Sequence, residues 1–352
     1  MVHQLLHRNI DSEHRQGSYK ELKFGLAYQY PDSRFLSHTS LRWNQRDSDD
    51  NPVKDRFLGL ERGYLAYTDE QGRPLIQVGR EYYEDDRGFV FHDGIDGIHV
   101  NQYWQTSWGQ WHWRTIIGQQ WHWTPNWLEV TSGQDSQLAY TGLKLVQDNR
   151  EWQIYGLHRE SEQQRISVGL RSSGNLASTT SYYWLEAVLQ SGRDRQSRTV
   201  FAWGFDFGLV QPVTPRLFAI GGYAVGSGGE DDEQQRTFEQ SGLNINTGWL
   251  GEGGAKLKYY GEILKPQLSN IRIATLGGRY QLHRKATAEL LWHKYRSYTG
   301  AADSPDIGEA WDMIINYEPF DGLKLEFNLA RYQPARTGAA QHLAYTELRY
   351  HF

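Results

Sequence analysis

The chain has 352 residues, a formal net charge of −5, no cysteine and 14% aromatic residues, with 14 Trp and 22 Tyr. A mean hydropathy of −0.71, with no apolar run near the ~20 residues a membrane helix needs, excludes a helical membrane protein. The lack of cysteine excludes disulfide and thiol chemistry, and the acidic balance offers no footprint for nucleic acid. Membrane β-barrels remain, because their polar inward residues offset the apolar outward ones in any average, and their interfaces favour Trp and Tyr. Met1-Val-His-Gln-Leu-Leu-His7 lacks the basic start and apolar run of an export signal, so an exported chain is expected in its mature form.

In chain order, Val2–Ile10 alternates weakly and reads as a first strand, with a polar connection at Asp11–Gly17. Tyr19–Tyr30 alternates cleanly, with Leu22, Phe24, Leu26, Tyr28 and Tyr30 on one face and Glu21, Lys23, Gly25, Ala27 and Gln29 on the other. A turn at Pro31-Asp32-Ser33 leads to Phe35–Arg46, with Leu41 and Trp43 out and His38, Arg42 and Asn44 in. Asp47–Asp55 reads as a charged loop. Strands are expected near Phe57–Tyr67 and Leu75–Tyr83, joined by the turn Asp69-Glu-Gln-Gly-Arg73, and then at Gly97–Trp104. Trp111–Trp123 sets Trp111, Trp113, Ile117, Trp121 and Trp123 against His112, Arg114, Gly118, Gln120 and His122.

Further strands run near Leu138–Val146, Trp152–Arg159, Arg165–Arg171 and Tyr182–Gln190. Arg198–Leu209 is the most strongly two-faced of all. Phe201, Trp203, Phe205, Phe207 and Leu209 share one parity, and Arg198, Val200, Ala202, Gly204, Asp206 and Gly208 share the other. That division, large apolar outside and small or polar inside, is what a lipid-facing barrel strand requires. After Leu217–Val225, Gly226–Asn270 is the longest region without a clean period, with the acidic run Glu230–Glu233 and a short alternating piece at Lys256–Leu264. Ile271–Leu282, Thr287–Tyr295, Trp311–Tyr317, Leu323–Tyr332 and His342–Phe352 complete the chain. The reading is all-β: one transmembrane antiparallel β-barrel over residues 1–352, of about 18 strands, with a long loop at about 226–270. Outer-membrane barrels resemble one another in ending on an alternating strand with a terminal aromatic that the assembly machinery reads, and Leu348, Tyr350 and Phe352 fit that pattern.

Several ordered blocks resemble the alginate-export family of outer-membrane channels: Val78-Gly-Arg-Glu81 followed by Glu84-Asp-Asp-Arg87, Phe238-Glu-Gln-Ser-Gly-Leu243, Tyr260-Gly-Glu262 leading to Gln267-Leu-Ser-Asn270, Leu291-Trp-His-Lys-Tyr295, and Asp306-Ile-Gly-Glu-Ala-Trp-Asp312. The resemblance implies a monomeric barrel in the bacterial outer membrane, its lumen narrowed by loops and lined by cations, passing an acidic exopolysaccharide outward. It places lumenal cations at Lys23, Arg80, Lys256 and Lys265. The chain departs from the family where relatives carry an Arg-x-Arg pair, having Glu326 and Asn328 there. Its turn Glu318-Pro-Phe-Asp-Gly322 is also too short for the family's periplasmic plug.

A polyuronate carries a carboxylate on every sugar, so its path needs Lys or Arg, with Arg the better bidentate partner. Inward parity supplies Lys23, Arg42, Arg114, Arg165, Arg171, Arg198, Lys256, Lys258, Lys324 and Arg349, with Lys265 and Arg80 from the family blocks and Arg80 the first choice of constriction residue. Inward Tyr182, Trp184 and Tyr260 offer faces for sugar rings. Structural pairing competes with every such role, because Glu21, Glu186, Asp206, Glu262, Glu289, Glu326 and Glu347 share the inward parity. His92-Asp93-x-x-Asp96-x-x-His99 has metal-ligand residue types, and Glu84–Asp86 and Glu230–Glu233 have those of a Ca²⁺ loop, but solvated loops are the plainer reading and no metal or other cofactor is expected. No Gly-x-Ser-x-Gly, P-loop or His-Glu-x-x-His motif points to an enzyme. Expected partners are an anionic polysaccharide, outer-membrane lipid including lipopolysaccharide, the barrel-assembly machinery and periplasmic export components. The alternative function is a general or nutrient-uptake porin for small acidic solutes. An enzyme or adhesin carried on the loops is a third, with no catalytic pattern to support it.

Overall fold

A backbone crossing lipid finds no water, so each N–H and C=O must be paired within the protein; strands meet that demand only in a ring without edges. The computed structural model describes all residues except 1, 13–14, 32, 49–50, 85–88, 91, 121–135, 177–179, 230–232, 241–245, 249–254, 258–259, 300–304, 337 and 352. For 2–12, 15–19, 46–48, 51–55, 57, 84, 92–93, 246–248, 255–257 and 351 it describes the backbone alone. The ring begins with β1 (Val2–Ser12), β2 (Arg15–Gln29), β3 (Phe35–Ser48), β4 (Asn51–Thr68), β5 (Pro74–Glu84) and β6 (His92–Thr106). It continues with β7 (Gly109–Gln120), β8 (Ser136–Gln147), β9 (Arg150–Glu160), β10 (Gln164–Asn175), β11 (Tyr182–Arg193) and β12 (Thr199–Pro212). β13 (Leu217–Gly226), β14 (Ile271–His283), β15 (Ala286–Ser297), β16 (Asp306–Phe320), β17 (Leu323–Pro334) and β18 (Gln341–His351) finish it.

The described sheet has nineteen strands, one of them the two-residue Gln234–Gln235 laid parallel to Thr199–Val200. The other eighteen pair antiparallel with their chain neighbours, and β1 also pairs with β18 through Gln4–Ser12 and Leu343–His351, so the ladder returns to its start. With this up-and-down order, connections after even-numbered strands lie at the end that carries both termini. These are short, as at 30–34, 69–73 and 321–322. Connections after odd-numbered strands lie at the opposite end and include 227–270. Short turns at one end and long loops at the other distinguish the periplasmic from the outer side of such barrels.

The strand parity follows the sequence. On β12, Phe201 and Phe207 are 56% and 41% exposed on the outside, whereas Val200, Ala202 and Asp206 are buried inside. Three expected loops differ. Asp47–Asp55 and Asp11–Gly17 are drawn largely into strands, with Arg46 opposite Asp55, Ser48 opposite Asn51 and Ser12 opposite Arg15. A polar hairpin that projects beyond the apolar band keeps its ladder bonds without needing an apolar face, so charge alone does not mark its end. His92–Asp96 likewise belongs to β6. Conversely, the alternation expected at Lys256–Leu264 gives a strand only at Ala255–Leu257, and residues 260–264 form a turn.

The small inward face of β12 has a packing reason. A Cβ on Gly208 would lie 1.8 Å from the Trp184 indole, and one on Gly204 would lie 2.6 Å from the Phe238 ring. Trp184, 1% exposed, therefore lies flat over β12 with its Nε1 donating to Asp206 at 3.2 Å. Gly208→Val must displace that indole, at a cost of about 1–3 kcal/mol for overpacking. The outward Gly221→Ala meets only Leu276 Cδ2 at 3.9 Å and is expected to be silent. Denaturant unfolding in lipid vesicles, read on the folded band in gels, compares the two.

Candidate functional site

The lumen is divided between a dry half and a wet half. Inward side chains of β5 to β16 form a buried cluster that includes Tyr83, Ile116, Tyr140, Tyr155, Ala202 and Ile273. Segments of the connecting loops enter the same cluster: Phe89 and Val90 from the loop after β5, and Phe238, Tyr260 and Leu268 from the loop after β13. The long loop is thus folded into the barrel. Its Glu239 carboxylate accepts from Arg165 at 2.7 Å and from Gln163 at 3.0 Å, and its backbone exchanges two hydrogen bonds with Gln190 at 2.9 and 3.1 Å. Gln240 donates to the Phe89 carbonyl at 2.8 Å and accepts from the Leu268 N–H at 2.7 Å, tying the two loops together.

The far side of the loop is anchored on the opposite wall. Tyr295 donates to the Tyr260 carbonyl at 2.6 Å, and Tyr345 to Glu262 at 3.0 Å. The Glu262 N–H approaches both Asp312 oxygens at 3.4 and 3.3 Å, and His293 Nε2 lies 3.2 Å from Asp312. These anchors sit in the blocks Phe238–Leu243, Tyr260–Glu262, Leu291–Tyr295 and Asp306–Asp312. The blocks that carry the family resemblance are, in large part, the contacts that hold the loop across the lumen.

The cations sort by position. Lys23, Arg42, Lys324 and Arg349 line the inward face of β2, β3, β17 and β18, with side chains 29%, 32%, 20% and 30% exposed. They form two cross-strand pairs, Lys23 with Arg42 and Lys324 with Arg349, set on either side of β1. Each also has an acid. Lys23 meets Glu61, Arg42 meets Glu21 at 2.6 Å, Arg349 meets Glu347 at 2.6 Å, and Lys324 lies 3.4 Å from Glu326. Arg62, joined to Glu81 at 3.1 Å, extends the same wall; inward parity was the signal for it, obscured by the bulge at Glu61 between β3 and β4.

Other predicted cations lie elsewhere. Arg80 shares the parity of the outward Ile76 and Val78, is 8% exposed, and grips Asp96 at 2.9 and 2.6 Å on β6, whose outward Ile98 fixes that parity too. Its neighbours Glu81 and Tyr83, not Arg80, turn inward. Arg165 and Arg171 are inward but buried, Arg171 bidentate to Glu186 at 2.9 and 2.6 Å. Arg114 is inward, donating to Asn101 at 3.1 Å with its guanidinium 5.3 Å from the Tyr83 ring. Arg198 closes the turn before β12, donating through Nε to Asp194 at 2.7 Å. Shielding opposes the charge of Asp194, but hydrogen bonds from the Arg198 side chain and backbone outweigh it and hold the carboxyl below the usual carboxylate range. Lys265 is exposed on the loop; Lys258, Arg87 and Phe352 lie outside the described residues, as does the Lys256 side chain.

Two of the aromatic platforms are occupied, since Trp184 lies over β12 and Tyr260 is 3% exposed within the packed loop, while Tyr182 is half-buried against the cluster of Trp184, Val210 and Ile220. Of the residue types singled out at His92–His99, the side chains of His92 and Asp93 lie outside the described residues, Asp96 is held by Arg80 at 2.6 Å, and His99 is buried. Among the described residues no group of three or more acidic or histidine side chains is placed to hold a metal.

The alginate export family model matches residues 6–304. The chain belongs to that family. The alginate production protein AlgE of Pseudomonas aeruginosa is 34% identical over 134 aligned residues, 34% of this chain and 27% of that protein. AlgE of Azotobacter vinelandii is 27% identical over 110 residues, 31% of this chain and 22% of that protein. The alignments therefore span about a quarter of the length of these relatives. Among solved structures, OccK5 (OpdH) of Pseudomonas aeruginosa superposes with a TM-score of 0.66 at 11% identity, over 100% of this chain and 98% of that one. OpdK of the same organism, solved with vanillate, gives 0.64 at 11% identity with the same coverage. The barrel fold and the bacterial outer membrane as its place follow from the family and these neighbours.

If the loop's anchors set the width of the lumen, Phe238→Ala with Gln240→Ala, which removes the ring against Gly204 and both clamps to Phe89 and Leu268, is expected to raise single-channel conductance. Planar-bilayer recording measures it, with Phe201→Ala on the outward face as the control that leaves conductance unchanged.

Proposed function

We propose that the protein is an outer-membrane channel that passes an acidic exopolysaccharide, an alginate-like polyuronate, along the wet wall formed by β2 to β4, β17 and β18. The observation that carries the reading is the two part-exposed cation pairs, Lys23–Arg42 and Lys324–Arg349, that flank β1 in a barrel of the alginate export family. A polyanion in a narrow lumen loses hydration, and cations along the wall offset that loss. Because each cation already has a carboxylate neighbour, a uronate exchanges for a partner instead of meeting a bare charge, and contact stays weak enough for the chain to move on.

The second reading, uptake of small acidic solutes, draws on the same acid pairing and on the fold neighbour solved with vanillate. Both readings require anion preference despite the net charge of −5, because selectivity is set at the narrowest wet section.

Lys23→Gln, Arg42→Gln and Arg349→Gln together are expected to lower the anion-to-cation permeability ratio by roughly twofold or more, whereas Arg80→Gln and Arg198→Gln leave it nearly unchanged. Glu326→Arg, which places a cation opposite the buried Glu347, is expected to raise it. Reversal potentials in a salt gradient measure all of these. Block by an added oligouronate that weakens in the triple variant supports the polymer; block only by small carboxylates turns the reading to solute uptake. Cation preference of the wild type overturns both.

A further inference from the structure

The loop of residues 227–270 meets the wall of β9 to β11 through a pair of opposite charges. Arg165 on β10 is 7% exposed and reaches the Glu239 carboxylate of the loop at 2.7 Å. Its other nitrogens are weakly met: Nη1 lies 3.4 Å from the Thr237 carbonyl, and the buried Nε has no acceptor among the described residues. The direct cross-strand neighbour of Arg165 on β9 is Arg159, a second cation that repels it. Asp194, the other acid within electrostatic reach, is held by Arg198 at 2.7 Å. Like charges directly opposite one another on a sheet destabilise it, and a buried cation needs a counterion. Glu239 therefore acts twice: it neutralises Arg165, and it fixes the loop to this wall.

Water reaches this carboxylate. The Glu239 side chain is 42% exposed, and beside it lies a cavity of about 30 Å³ lined by Arg159, Ser161, Gln163, Arg165, Ser167 and Gln190. That is room for one water with polar partners around it. The opposite wall holds the loop differently. There Tyr295 donates to the Tyr260 carbonyl and Tyr345 to Glu262, and the Glu262 N–H approaches Asp312, which faces His293 on β15. Glu262, Asp312 and His293 are 2%, 2% and 1% exposed, with Tyr332 packed against Tyr295 behind them. A proton from solvent meets Glu239 first.

We propose that Glu239 is a proton-operated latch that sets how far the loop closes the lumen. Ionised, it holds the loop on β9 to β11. Protonated in acid, it no longer balances Arg165, which is left buried beside Arg159 without the loop's counter-charge. Removing one partner of a buried ion pair is costly because the other charge stays out of water. The loop relieves that cost by lifting from this wall, which lets water reach Arg165, while it stays hinged on Tyr295 and Tyr345. The sign follows from the pair: it stabilises the ionised carboxylate, so the latch is closed where Glu239 is ionised and opens as the pH falls and the proton is taken up. The channel is then wider in acid.

The chain has no cysteine, so a single Ser167→Cys reports the latch: Ser167 is 3% exposed on β10, in the wall of the cavity beside Glu239. The purified full chain in detergent is labelled with a dithiodipyridine, which reacts with thiols in acid, at about pH 7.5 and about pH 4. The rate is divided by that of Thr214→Cys on an exposed turn. This ratio is expected to rise at least fivefold in acid, with single-channel conductance rising alongside and the folded band on gels unchanged. Glu239→Gln in the same background is expected to give the acid ratio at both pH values. Glu239→Gln with Arg165→Gln, which removes the buried charge together with its partner, is expected to give the low ratio at both. A ratio that does not change with pH overturns the proposal, and so does a pH response that survives in Glu239→Gln. A rise that accompanies loss of the folded band reports unfolding of the barrel and overturns it too.

Discussion

Everything in this structure depends on the need to pair every backbone group in a medium without water. The ring of strands satisfies that need, and once the ring exists, parity alone decides which side chains meet lipid and which meet the lumen. Charge can then be carried inside without cost to insertion. The chain is polar on average because half of each strand never sees the membrane. The same division explains why a stretch as apolar as Phe201–Leu209 has so small a second face.

That second face shows how a barrel of this size is kept from being an open pipe. A ring of eighteen strands encloses more volume than the side chains on its inner wall can fill. Here one half is filled from within. Phe238 seats on Gly204 and Trp184 on Gly208, and around them Phe89, Tyr260 and Leu268 complete an apolar core inside the barrel. The hydrogen-bonding groups of the loop are met by Gln190, Asp312 and Tyr345 on walls far apart in sequence. The loop is held as a packed element, and it leaves the water to the wall where β18 meets β1 and β2.

Much of the fold was legible because alternation is local: a strand shows its two faces within its own few residues, as Leu22–Tyr30 and Trp111–Ile117 do. The ends of strands were less legible, since the polar hairpin at Asp47–Asp55 keeps its ladder without an apolar face. The site was harder still. Arg80 drew attention from its family block, yet parity with Ile76 and Val78 turns it outward, and that parity could have been counted from the sequence. Arg198 has the right parity but lies one residue before its strand, where Asp194 claims it. That Arg165, Arg171, Trp184 and Tyr260 are buried, while Lys23, Arg42 and Arg349 are wet, depends on where a loop from residues 227–270 comes to rest. No local pattern states that.

If the wet wall passes a polyuronate, as proposed, its physical logic differs from that of a tight anion site. A bare row of cations would attract a polyanion strongly and hold it, since each uronate would add a favourable contact and the sum would grow with chain length. Carboxylates beside Lys23, Arg42, Lys324 and Arg349 lower the gain of each contact, because a uronate must share or displace an existing partner. The net attraction per sugar then falls toward the thermal energy, and a chain can advance by exchanging one weak contact for the next. On the proposed reading, the buried acids Glu21, Glu326 and Glu347 belong to the transport surface as much as the cations they accompany. On this view the replacement of the family's Arg-x-Arg by Glu326 and Asn328 tunes the grip of the wall on its cargo, and leaves the direction of its preference to the cations exposed beside it.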